Sequence, residues 1–159
     1  MKHTVVNPQN DKVCPMKAVL SVLYFLSFTA GLTAQIPKLN SYSPSQATVY
    51  LDFDGHYVNG SVWNWAGPID AQPSALTATQ ISEIFSRVAE DYRIFNLNIT
   101  TDSTVYFAAP AKQRVRMIVT PTYEWYIRAG GVAFVGSFTW GDETPAWVFS
   151  GLLGNSVKK

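Results

Sequence analysis

Thr77–Tyr92 reads TATQISEIFSRVAEDY, and this stretch decides the fold class. Thr77, followed three residues later by Gln80, forms a capping box, in which each side chain satisfies a backbone N–H left open at a helix start. Ile81, Ile84, Phe85, Val88 and Tyr92 recur at helical spacing, while Glu83, Arg87, Glu90 and Asp91 fall on other faces. The spacing predicts a helix over Ala78–Tyr92 with a single apolar stripe. Such a stripe needs an apolar surface to cover it, and the flanking segments supply one as strands.

Upstream, Thr48–Phe53 reads as a strand with Val49, Leu51 and Phe53 on one side. Asp54-Gly55 breaks it. Asn59-Gly60 is a turn signal before Ser61–Trp65, which predicts a hairpin with the first strand. Gly67–Ala75 is a Pro-containing loop into the helix. Downstream, the helix gives way near Phe95-Asn96 to a short strand at Leu97–Thr101. Arg114–Val119 alternates basic and apolar residues, predicting a half-exposed strand with Val115, Met117 and Val119 buried and Arg114, Arg116 and Ile118 opposite. An aromatic loop at Pro121–Ala129, a Gly130-Gly131 turn and a strand at Val132–Phe138 follow. Gly141-Asp142 then turns the chain into a last strand, Ala146–Phe149. The expected fold class is α/β (α+β): a mixed twisted sheet with a packed helix.

Domain organisation follows from composition. Ala18–Thr29, AVLSVLYFLSFT, is a twelve-residue apolar run preceded by Lys17 and followed by Gly31-Leu32-Thr33-Ala34. It predicts a secretory signal cleaved after Ala34, with residues 1–34 as extension and signal, and Met16-Lys17 as a more conventional start. The uncharged stretch Ala18–Gln35 is near the short end for a bilayer span, so no stable membrane anchor is expected. Cys14 precedes the apolar run, so the exported chain would carry no cysteine and no disulfide. Residues 35–47 are a Pro/Ser-rich lead-in, and 48–159 form the domain. From Gln35 onward nine Lys/Arg stand against ten Asp/Glu, a formal charge of −1. No basic cluster remains to neutralise phosphates, which argues against nucleic-acid binding.

Candidate sites are few. Asp52 and Asp54 in Asp52-Phe53-Asp54-Gly55 would project to one strand face and share a cation. The same motif resembles the nucleophile strand of haloacid-dehalogenase phosphatases. However, His56 stands where those carry threonine, and Ala146 stands where a second acid would help to hold magnesium. His56 lacks neighbouring partners for a zinc site. The Trp63/Trp65 pair and the Trp125, Trp140 and Trp147 set would suit a carbohydrate surface or ordinary core packing. Glu124, Asp142 and Glu143 are the remaining candidate calcium ligands. Asn98-Ile99-Thr100 matches a glycosylation sequon.

Taken together, VYLDFDGH (Val49–His56), SEIFSRVAEDYRIFNLNITTD (Ser82–Asp102) and GGVAFVGSFTWGDETPAWVFSGLLGN (Gly130–Asn155) resemble secreted bacterial zinc metallopeptidases of the metzincin type. The likeness covers roughly Thr48–Asn155 and implies the N-terminal subdomain of a zinc-dependent endopeptidase. It also implies that Val132–Phe138 is a cleft-side strand entered through the Gly130-Gly131 turn, with Gly131, Val132, Ala133, Phe134, Val135 and Gly136 binding a peptide or protein substrate by strand addition. In that family a His-Glu-x-x-His helix follows, its histidines holding zinc and its glutamate activating water. This sequence has only His3 and His56, and Gly154–Lys159 sits where that helix would begin. The expectation is therefore a zinc-bearing full-length enzyme of which this chain alone is inactive, leaving an apolar patch near Phe134, Phe138, Trp147 or Phe149. A secreted, non-enzymatic protein- or carbohydrate-binding domain is the alternative.

Overall fold

The computed structural model describes residues 35–153, together with Met1 and His3. The signal, the Ala34 cleavage point, Cys14 and Gly154–Lys159 lie outside the described residues. A five-stranded mixed sheet is built from β1 (Thr48–Asp52), β4 (Asn98–Thr100), β5 (Arg114–Thr120), β6 (Gly131–Val132) and β7 (Ala146–Phe149). A separate two-stranded ribbon pairs β2 (His56–Val58) with β3 (Ile69–Ala71). The main sheet runs β4-β1-β5-β7-β6, with the first four strands parallel and β6 antiparallel at one edge.

The helix α1 (Ala78–Asp91) forms where the stripe predicts it, and its capping box is present: Thr77 accepts from the Gln80 amide, while the Gln80 side chain accepts from the Thr77 amide. Ile81, Ile84, Phe85 and Val88 cover Leu51, Phe53, Ile99 and Val119 on one face of the sheet. A second helix, α2 (Ser103–Ala108), is begun by Asp102, whose side chain accepts from the Thr104 amide. It carries Tyr106 onto the opposite face, against Tyr50. That face is completed by the β2–β3 ribbon, with Val58, Trp63, Ile69 and Ala71 packed over Ile118, Trp147 and Phe149.

Three expectations need correction. Ser61–Trp65 is not a strand but a turn leading into a 3-10 helix at Asn64–Ala66, because the Asn64 side chain ties Ser61, Val58 and Gly67 together. The expected hairpin with Thr48–Phe53 is therefore absent: β1 pairs in parallel with β4 and β5, and the antiparallel ribbon joins His56–Val58 to Ile69–Ala71. β5 is not half-exposed: Arg116 and Ile118 are buried, because α2 and the ribbon cover the face that alternation assigned to solvent. Finally, Val132–Phe138 is a strand only at its start. Gly136 adopts a left-handed φ of 82° and Ser137–Thr139 coils into a 3-10 helix. Of the residues expected in an exposed patch, Phe134 is exposed, Phe138 is half-buried, and Trp147 and Phe149 are core.

Candidate functional site: a sheet edge and a buried charge layer

Of the six predicted substrate-binding residues, Gly131 and Val132 form the β6 edge, and the other four follow it as loop. Gly131 and Val132 pair with Val148 and Trp147, and the Phe149 amide donates to the Gly130 carbonyl. Antiparallel hydrogen bonds alternate between strands, so Gly131 turns its own N–H and C=O away from β7, toward the open side. The pairing depends on the absence of a side chain, since a Cβ on Gly131 would lie 2.5 Å from the Trp147 carbonyl oxygen. Ala133, Phe134, Val135 and Gly136 continue the chain as exposed loop, with Val135 fully accessible.

An aromatic shelf adjoins this edge. Phe134 stacks on Trp63 with ring centroids 4.2 Å apart and meets Trp140 at 5.5 Å. Trp63 is itself fixed, donating its Nε1 hydrogen to the Pro145 carbonyl at 2.8 Å and packing edge-on against Trp125 and Tyr126. The tryptophans thus divide by role. Trp63 and Trp147 are buried and Trp125 is half-buried, whereas Trp65 and Trp140 reach solvent.

The acidic candidates separate as well. Asp52 is fully buried and ion-paired to Arg116, while Asp54 lies past the strand end and is exposed. Burial raises the Asp52 carboxyl to about 7, Asp54 acting in the same direction and Arg116 against both. Arg116 Nη1 also lies 3.3 Å from His56 Nδ1. Burial and that guanidinium together lower the His56 pKa. The Arg116 guanidinium further sits over Tyr50 and Tyr106, each about 5.2 Å from the ring centre. Next to it, Arg114 donates to the Tyr106, Phe107 and Ala109 carbonyls at the end of α2 and pairs with Glu143 at 2.8 Å. Burial pushes Glu143 up, but hydrogen bonds from Tyr106 and Arg114 outweigh it, so its pKa is lowered. The Tyr106 phenol, buried and bonded to Glu143, is pushed up to about 12.

This geometry tests the cations that the sequence suggests. Glu143 is committed to Arg114 and Tyr106, Asp142 accepts from the Thr144 amide, and Glu124 accepts from the Tyr123 amide. His56 faces a guanidinium, which repels a cation. Among the described residues no group of three or more His, Cys, Asp or Glu side chains is arranged to hold a metal ion. These residues therefore do not fit zinc or calcium. The sequon asparagine, Asn98, is buried in β4, with its side chain bonded to the Tyr42 amide and Asn40. In the folded chain it is closed to a glycan.

Arg116, Tyr50 and Tyr106 are the members of the charge layer that local sequence patterns miss. Their one trace is an arginine in the apolar run RVRMIVT and an aspartate in TVYLDF, two opposite charges within strands that each require a buried partner. Among the described residues no helix is long and apolar enough to cross a membrane. Searched against family models, curated proteins and solved structures, the chain matches none.

Proposed function

We propose that this chain supplies the peptide-binding sheet of a secreted zinc-dependent endopeptidase of the metzincin type. An extended peptide or protein substrate adds to the open side of β6. The observation that carries the reading is the location of Gly131–Val132: the segment that resembles a cleft strand is the antiparallel edge of the sheet, with the Gly131 N–H and C=O directed outward. Backbone groups, not particular side chains, make strand addition work, so so short an edge still offers a donor and an acceptor. Among the described residues no group is arranged to hold zinc, and the role of this chain in hydrolysis is to orient the peptide.

The test is photocrosslinking with extended peptides that carry a benzophenone side chain, followed by mapping of the labelled residues. Labelling concentrated at residues 131–136 is expected, and labelling elsewhere on the surface would contradict the proposal. The chain incubated with zinc and an unfolded protein is expected to leave that protein uncut.

A non-enzymatic secreted binding domain is favoured by one observation, the solvent-reaching rings of Trp65 and Trp140. Saturable binding of an oligosaccharide that quenches their fluorescence, with no peptide labelling at the edge, would select it.

A further inference from the structure

A cavity of about 620 Å³ opens at the carboxyl ends of β1 and β4, on the opposite side of β1 from β5 and remote from the β6 edge in strand order. The chain leaving β1 passes through the β2–β3 ribbon and returns to α1, the chain leaving β4 enters α2, and residues at these two exits form the cavity walls. The cavity's volume lies in the range of small-molecule sites.

Two further observations mark this crevice. Tyr50 lines it at 4% exposure, and its hydroxyl has no hydrogen-bond partner among the described residues. Ala75, in the wall ahead of α1, has a left-handed φ of 57°, an unfavourable conformation for a residue with a Cβ. Charge then narrows the ligand. Asp54 and Asp102 line the cavity against one lysine, Lys38, which bridges to Asp102 at 3.3 Å and is largely exposed. Burial pushes the Tyr50 hydroxyl up, Asp52, Asp54 and Asp102 act in the same direction, and Arg116 over its ring acts against them. An anion gains little here, because the capping box already occupies backbone donors at the start of α1.

We propose that this cavity binds a small organic ammonium compound, with its apolar body against Ile36, Pro73 and Leu76 and its charge held by Asp54, Asp102 and the Tyr50 hydroxyl. The ligand's ammonium displaces the exposed Lys38 from Asp102. This inference is independent of the peptide edge, and either can fail alone.

The probe is 2-phenylethylammonium, titrated into the ¹⁵N-labelled 159-residue chain and followed by amide shifts, with 2-phenylethanol as the uncharged counterpart. Saturable shifts at Tyr50, Ser74 and Thr101 are expected, with the alcohol binding about tenfold more weakly or worse. Asp54→Asn, at an exposed position that leaves the fold intact, should weaken the ammonium by a similar factor. Absence of saturable shifts, shifts centred elsewhere, or equal binding of the alcohol would overturn the proposal.

Discussion

The two faces of the sheet are built on different principles. On the α1 face, Leu51, Phe53, Ile99 and Val119 meet the helix stripe through apolar contact alone. On the other face, Asp52, Arg116, Tyr50 and Tyr106 place a buried ion pair and two phenols beside the aromatic packing of Trp147 and Phe149. The apolar face tolerates imprecision, since dispersion and burial are non-directional. The charged face does not, because each buried charge depends on a partner 64 positions away in the chain. The difference teaches that the first face supports the fold, and the second fixes which strands lie side by side and in what register.

Breaking the ion pair should produce the largest effect. Arg116→Met strands the Asp52 carboxyl in the interior and is expected to cost about 3–5 kcal/mol in chemical denaturation. Replacing both partners, as Asp52→Leu with Arg116→Met, should recover most of that loss. If the single variant were no worse than the double, the pair would not be setting register. On the opposite face, Leu51→Ala should cost about 2–5 kcal/mol, according to how far α1 settles into the space. No second substitution on α1 should rescue it as cleanly.

The same contrast decides what could be read from the sequence. The α1 face was legible: the stripe, the capping box and the Val49-Leu51-Phe53 alternation are local patterns, and the helix and β1 form where they indicate. The second face was not, since alternation in Arg114–Val119 states only that two sides differ. Nothing local shows that α2 and the ribbon will cover the basic side. The hairpin departs from the local pattern for a related reason: Asn59-Gly60 signals a turn, but Asn64 binds Ser61, Val58 and Gly67 and coils the segment that follows it. At the candidate site, Val132 is legible as strand, whereas Gly131 reads as the turn before it and is strand in the structure. The loop at Ala133–Gly136 is not legible, because its exit depends on Phe134 finding Trp63, a residue from the other end of the domain.

Smaller changes sharpen the comparison at the edge. Gly131→Ala forces a Cβ toward the Trp147 carbonyl and should cost about 1–3 kcal/mol, with loss of peptide labelling at residues 131–136 and the α1 face undisturbed. Amide exchange resolves the two regions within one variant. The smallest expected effect is in pH dependence. His56 has a folded pKa below its ordinary 6.5, lowered by burial and Arg116. The unfolded chain therefore takes up the proton first. The stability His56 confers is present above about pH 6.5 and is lost as the pH falls toward and through the lower folded value. Denaturation curves of His56→Gln should be flatter than those of the parent across that window. An unchanged slope would remove His56 from the charge layer's response.

The most direct measurement is amide hydrogen exchange at Gly131 with and without a saturating extended peptide. The open-edge account predicts that the Gly131 N–H slows markedly on peptide addition while amides in α1 stay unchanged. A Gly131 amide that exchanges at the same rate in both states, with peptide bound elsewhere, would contradict it.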